Sequence, residues 1–172
     1  MTEIRRYYGK YRGIVVSNED PLREGRLLVQ VGDPGGVIPT SWATPCFPAT
    51  GIQMGVYMLP QIGAGVWVEF EQGDADRPIW SGCWYHNGGE IPALAQIPPP
   101  PGLSNFVIQT AGQQTLMLSD TPGPTGGILL KTTTGALISI NDVGITISNG
   151  KGAMITLTGP AVTINQGALT VT

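Results

Sequence analysis

Thr115-Leu116-Met117-Leu118-Ser119, Leu137-Ile138-Ser139-Ile140-Asn141 and Met154-Ile155-Thr156-Leu157-Thr158 are three statements of one phrase that runs through residues 103–172. Ile128-Leu129-Leu130-Lys131-Thr132, Ile145-Thr146-Ile147-Ser148, Val162-Thr163-Ile164-Asn165 and Leu169-Thr170-Val171-Thr172 repeat it. Most phrases alternate an aliphatic residue with Thr, Ser or another small polar residue, and turns carrying Gly, Asn, Asp or Pro lie between them. Period-two alternation of β-branched residues predicts strands, and starts spaced roughly eight to ten residues apart predict many short strands joined by tight turns.

Asp120, Lys131, Asp142 and Lys151 are the charged residues of this segment. A sheet that stands alone usually guards its edges with charge and Pro. The sparse charge predicts edges filled by further copies of the chain. One apolar face per short strand cannot close a core by itself, which leaves a one-chain solenoid of few coils or three chains wound together. The three-chain arrangement is preferred, with Leu116, Leu118 and Leu130, then Ile138, Ile140, Ile145 and Ile147, then Ile155, Leu157, Val162 and Ile164 turned toward a common axis. An ordinary antiparallel sandwich would need more charge on its outer faces.

The 172 residues carry a formal net charge of -3, and charged residues are 12% of the total. That balance argues against nucleic acid as the partner, because phosphate binding needs clustered Lys and Arg. Arg5, Arg6, Lys10 and Arg12 form the one basic cluster and suit a solvated face or a contact to an acidic protein neighbour rather than a nucleic-acid patch. There is no apolar run long enough for a spanning helix and no signal-peptide core after Met1, so assembly in a cytoplasm is expected. Cys46 and Cys83 leave free thiols and a disulfide both open, and the missing export signal favours thiols.

Before the repeat, strands are expected at Tyr11 to Val16, Arg26 to Val31, Thr40 to Pro45, Gly65 to Glu71 and Pro78 to Tyr85, with turns at Asn18-Glu19-Asp20-Pro21, Gly32 to Gly36 and Gly73-Asp74-Ala75-Asp76. Five short strands in about ninety residues suggest a small closed barrel of the OB type. Val66, Val68 and Phe70 alternate with Trp67, Glu69 and Glu71, which gives that strand a core face and an outer face holding a Trp. Four consecutive prolines, Pro98 to Pro101, mark a break and predict an extended polyproline stretch. The expected organisation is an OB domain over 1–87, a Pro-rich linker over 88–104 and a spike over 105–172, all-β throughout.

Gly9-Lys10-Tyr11-Arg12-Gly13-Ile14-Val15-Val16, Asn18-Glu19-Asp20-Pro21 and Gly25-Arg26-Leu27-Leu28-Val29-Gln30-Val31 resemble the opening of the central spike proteins of contractile phage tails, the baseplate assembly protein V family, whose barrel also occurs in type VI secretion spikes. Trp42-Ala43-Thr44-Pro45-Cys46, Pro60-Gln61-Ile62-Gly63-Ala64-Gly65-Val66-Trp67-Val68-Glu69-Phe70 and Gly73-Asp74-Ala75-Asp76-Arg77-Pro78-Ile79-Trp80-Ser81-Gly82 are similar to its later motifs, in the same order. The resemblance implies an N-terminal OB-fold barrel followed by an intertwined trimeric β-helix. It further implies a homotrimer in the virion tail baseplate that docks on a tail hub protein and pierces the host envelope. Some relatives insert a lysozyme domain, for which the proline linker leaves no room. Others end in a His-x-His pair that binds iron, whereas the single histidine here is His86. A separate PAAR-like tip protein on Leu169, Val171 and Thr172 is therefore expected, with hub contact at Arg5, Arg6, Lys10 and Arg12.

No enzymatic chemistry is expected, and no cofactor. His86 stands without a partner motif, and Asp74 with Asp76 is explained by turn hydrogen bonding. Gly-x-Ser-x-Gly, His-Glu-x-x-His, Walker and Cys-x-x-Cys patterns are absent. The competing function is a binding module, an OB fold reading glycan or single-stranded nucleic acid on a trimerising stalk. Such readers of nucleic acid need basic grooves interleaved with aromatics, and Trp42, Trp67, Trp80 and Trp84 have mostly acidic or neutral neighbours, Arg77 excepted.

Overall fold

A computed structural model of the chain describes residues 5–33 and 36–171. It divides into two compact units, Met1–Glu90 and Ile91–Thr172.

The first unit holds β1 (Tyr11–Ser17), β2 (Leu27–Asp33), β3 (Gly36–Pro45), a small hairpin of β4 (Thr50–Gly51) and β5 (Met54–Gly55), then β6 (Gly65–Phe70) and β7 (Pro78–Trp84). Five of these close into a barrel in the order β1-β2-β3-β7-β6, with β6 returning to β1. Pairing is antiparallel except between β3 and β7, where Thr44 faces Ile79 in parallel register. The five long strands expected from sequence are all present, and β3 starts earlier than expected.

Period-two alternation fills the barrel. Val66, Val68 and Phe70 from β6 meet Val15, Leu27, Val29, Val31, Ala43 and Trp80 in one buried cluster. Each fully buried Val or Leu there contributes about 1.5–3 kcal/mol through surface removed from water. Trp80 buries its polar edge without loss, because Nε1 donates to the carbonyl of Gly25 at 3.1 Å. Gly65 is required by a close approach: a Cβ there would stand 2.6 Å from the Trp84 ring and 2.8 Å from the Trp84 carbonyl.

The β1–β2 connection is organised by one carboxylate. Asp20 accepts from the backbone N–H groups of Leu22, Glu24 and Arg26, and from the Arg26 side chain through Nε and Nη2. The Arg26 guanidinium holds this carboxyl well below the usual carboxylate range; desolvation opposes it and the backbone donors add to it. Asp74 plays a smaller version of the same part. Its Oδ1 accepts from the N–H of Asp76 at 3.1 Å, so the Gly-Asp-Ala-Asp sequence closes its own turn.

The second unit is one eight-stranded antiparallel sheet in strict chain order. Its strands are β8 (Asn105–Gln109), β9 (Thr115–Ser119), β10 (Gly127–Lys131), β11 (Leu137–Asn141), β12 (Gly144–Ser148), β13 (Met154–Thr158), β14 (Ala161–Ile164) and β15 (Leu169–Val171). Every interior strand is hydrogen-bonded on both sides within one chain, and β8 and β15 form the two edges of the sheet. The turns are the reason. Two to seven residues rich in Gly, Asn and Asp reverse the chain in place, and connections this short join antiparallel neighbours rather than crossing between faces. Gly127 shows the tightness: at φ +77°, a Cβ would lie 2.0 Å from the Ile140 carbonyl.

Ahead of the four prolines, residues Ala93–Gln96 form a 3-10 turn, and the Asn105 amide donates to the Ile97 carbonyl at 3.1 Å. Pro98 to Pro101 follow without strand pairing, as their missing N–H groups require.

Candidate trimerisation face

Strand register decides which side chains share a face of the eight-stranded sheet. Directly opposed residues point the same way, and an unbroken antiparallel register carries a column of side chains across all the strands. One column reads Phe106, Leu118, Ile128, Ile140, Ile145, Leu157, Val162, Val171. Two positions along each strand, a second reads Ile108, Leu116, Leu130, Ile138, Ile147, Ile155, Ile164, Leu169. Two columns of eight thus give one face made wholly of large apolar residues.

None of the sixteen is buried in the single chain. Ile138 is 39% exposed, Ile147 44% and Leu130 45%, although all three are in interior strands. Their exposure is therefore a property of the face and not of a frayed edge. Burying the remainder would contribute on the order of 10 kcal/mol per chain before entropy is counted, at about 2 kcal/mol for each complete side chain.

The opposite face is built differently. Its central column begins with Val107, Met117 and Leu129 and continues as Ser139, Thr146, Thr156 and Thr163. The apolar part has a cover inside the chain: Leu94, Ile97 and Pro98 of the proline-rich segment line one groove with Met117 and Leu129. Met117 is 7% exposed. Beyond the reach of that segment the column changes to hydroxyls. One face is thus dry only where its own chain covers it, while the other is apolar along its whole length and, among the described residues, has no cover.

All eleven residues assigned from sequence to a common core, from Leu116 to Ile164, fall in the two apolar columns. Phe106, Ile108 and Ile128 share the face and are absent from that assignment. In Asn105-Phe106-Val107-Ile108-Gln109 the apolar Val107 breaks the alternation, as Met117 and Leu129 do in β9 and β10. Leu169 and Val171, assigned to a tip contact, are exposed at 54% and 58% and continue the same columns on the edge strand β15. Thr172 lies outside the described residues.

Each of the four basic residues near the start is engaged with the barrel unit. Arg5 lies over the Tyr7 ring at 5.1 Å, and Arg6 donates to the Gln72 carbonyl at 3.4 Å. Lys10 pairs with Glu69 and donates to Ser81 Oγ. Arg12 stacks on Trp84 at 4.8 Å and on Trp67 at 5.6 Å, a cation–π arrangement that covers the outer Trp face. His86 packs against Trp84 and pairs with Glu90; the backbone N–H of His86 draws the Glu90 carboxyl below its ordinary value, and the imidazole adds to this. Cys46 and Cys83 are free thiols, and burial raises the Cys83 thiol above its ordinary value. Among the described residues no three His, Cys, Asp or Glu groups converge as a metal set would.

A closed five-stranded barrel followed by a sheet with one uncovered apolar face defines a structural protein that assembles through its second unit. Residues 11–85 match the model of the type VI secretion system and phage-baseplate injector OB domain. Residues 105–170 match the model of the phage baseplate V C-terminal trimerisation domain. The chain belongs to this phage-baseplate spike family, and it forms a homotrimer through that domain. No curated protein matches it.

Proposed function

We propose that the chain is the central spike of a contractile injection apparatus, with three sheets closing their apolar faces on one another to make a stiff needle that is driven through a target envelope. The two uninterrupted apolar columns carry this reading. A face of that size is expelled from water, and a threefold closed arrangement covers it on every copy at once. Stiffness follows from the backbone ladder, since bending such a needle breaks many sheet hydrogen bonds together. The role is mechanical, without a catalytic step.

The barrels would dock on a tail hub protein, with Arg5, Arg6, Lys10 and Arg12 as the hub contacts. A separate PAAR-like tip would sit on β15 through Leu169 and Val171. The single-strand or glycan reader is less well supported, because Arg12 already occupies the Trp67 and Trp84 faces that a base or sugar would need. Native mass spectrometry of the full chain should give a trimer that resists detergent. Electron microscopy of intact particles should then place that trimer on the tail axis. A monomer, or a trimer found away from the baseplate, would reject the reading.

A further inference from the structure

Residues 34–68 contain no Asp, Glu, Lys or Arg, although charged residues occur on both sides. In the middle of this uncharged stretch β4 and β5 form a short arm. Ile52 at its tip is 99% exposed, and Met54, Tyr57, Met58 and Ile62 are each more than 60% exposed. The arm is held, not loose. Val56 N–H donates to the Ala49 carbonyl at 3.1 Å, and the Asn18 amide donates to the Pro60 carbonyl at 3.0 Å. Phe47 sits between Tyr57 and the buried Trp80, with both ring centroids at 5.4 Å. A fixed support that presents large apolar side chains to water is the signature of a contact surface.

We infer that the arm Thr50–Ile62 docks on the barrel of a neighbouring copy, so that the trimer is closed at the barrels as well as along the sheets. The inference rests on the homotrimer. Three copies held by the sheet unit keep three identical arms tethered to one another, because the last barrel strand, ending at Trp84, and the first sheet strand, starting at Asn105, are joined by 20 residues of the same chain. Tethering of this kind gives effective concentrations on the order of millimolar, enough to populate a contact too weak to form between free barrels. Chemistry agrees with the same occupant. An arm without charge needs a surface without charge, and the uncharged stretch of the next copy supplies one in equal number. A cyclic trimer closes such head-to-tail contacts on themselves, so none is left over to drive fibres.

The test uses the full-length protein with Ile52 replaced by the photoreactive residue p-benzoylphenylalanine, and a control with Leu22 replaced in the same way. Leu22 is 62% exposed and lies outside the arm. Irradiating purified protein should give covalent dimers and trimers on a denaturing gel from position 52 and not from position 22, with a yield unchanged on tenfold dilution. Met54→Asp should remove at least four-fifths of that yield while native mass spectrometry still reports a trimer. A trimeric mass without crosslinking at position 52 would overturn the arm contact alone, including where the probe instead labels another tail protein or added phosphatidylcholine vesicles. A monomeric mass would overturn both the contact and the trimer beneath it.

Discussion

Ile138 and Ile147 stand directly opposite each other on β11 and β12, deep inside the sheet, yet each keeps about two-fifths of its surface in water. Their backbones are fully paired while their side chains lack a cover, and that contrast locates the assembly surface.

Placing a carboxylate at this pair tests the surface directly. Ile138→Asp or Ile147→Asp would bury three charges in one dry layer of the trimer, where each uncompensated charge costs several kcal/mol. The expected outcome is loss of the trimer, read by multi-angle light scattering. A trimer that survives either substitution would exclude this face from the interface.

The opposite face supplies the control. Thr146→Lys and Thr156→Lys point away from the apolar columns, toward the hydroxyl side that the proline-rich segment does not reach. Trimer mass should be unchanged and unfolding stability should move by less than about 0.5 kcal/mol, as for ordinary surface substitutions. Disruption comparable to Ile147→Asp would show that the hydroxyl face is covered in the assembly.

In the barrel, Gly65→Ala should destabilise the first unit by about 1–3 kcal/mol, the usual cost of forcing atoms into occupied space. The Cβ meets the Trp84 ring and the Trp84 carbonyl, and the ring is further fixed by its Nε1 hydrogen bond to the Val66 carbonyl. Trp fluorescence should report the loss in denaturant unfolding, with the midpoint shifted down. An unshifted midpoint would mean that the indole can move aside freely.

Asp20→Asn should lower barrel stability at neutral pH, because the Arg26 side chain would lose its charged acceptor. The sign of the pH dependence follows from the depressed carboxyl. Asp20 titrates below its ordinary 3.8 when folded, so its stabilisation is fully present above the unfolded value and fades as pH falls through the folded one. Wild-type and Asp20→Asn midpoints should therefore differ at pH 7 and converge under strong acid. A constant gap over the whole range would assign the effect to loop shape and not to charge.

By itself, the amino-acid sequence determined the five long barrel strands and the strands of the repeat from β9 to β15. Those properties are local: Val66-Trp67-Val68-Glu69-Phe70 and Leu137-Ile138-Ser139-Ile140-Asn141 each state their own period, and Gly, Asn and Pro mark where the chain turns. The same alternation puts the eleven aliphatic residues from Leu116 to Ile164 on one face of the sheet. Tertiary structure decided what lies against what. The short turns made each strand pair with its neighbour in the chain, and the 3-10 turn after Pro92 brought Leu94 and Ile97 over Met117. Arg12 was drawn onto Trp67 and Trp84, and Ile52 was left fully in water. These pairings join residues far apart in sequence, and their energies depend on geometry that no local pattern encodes.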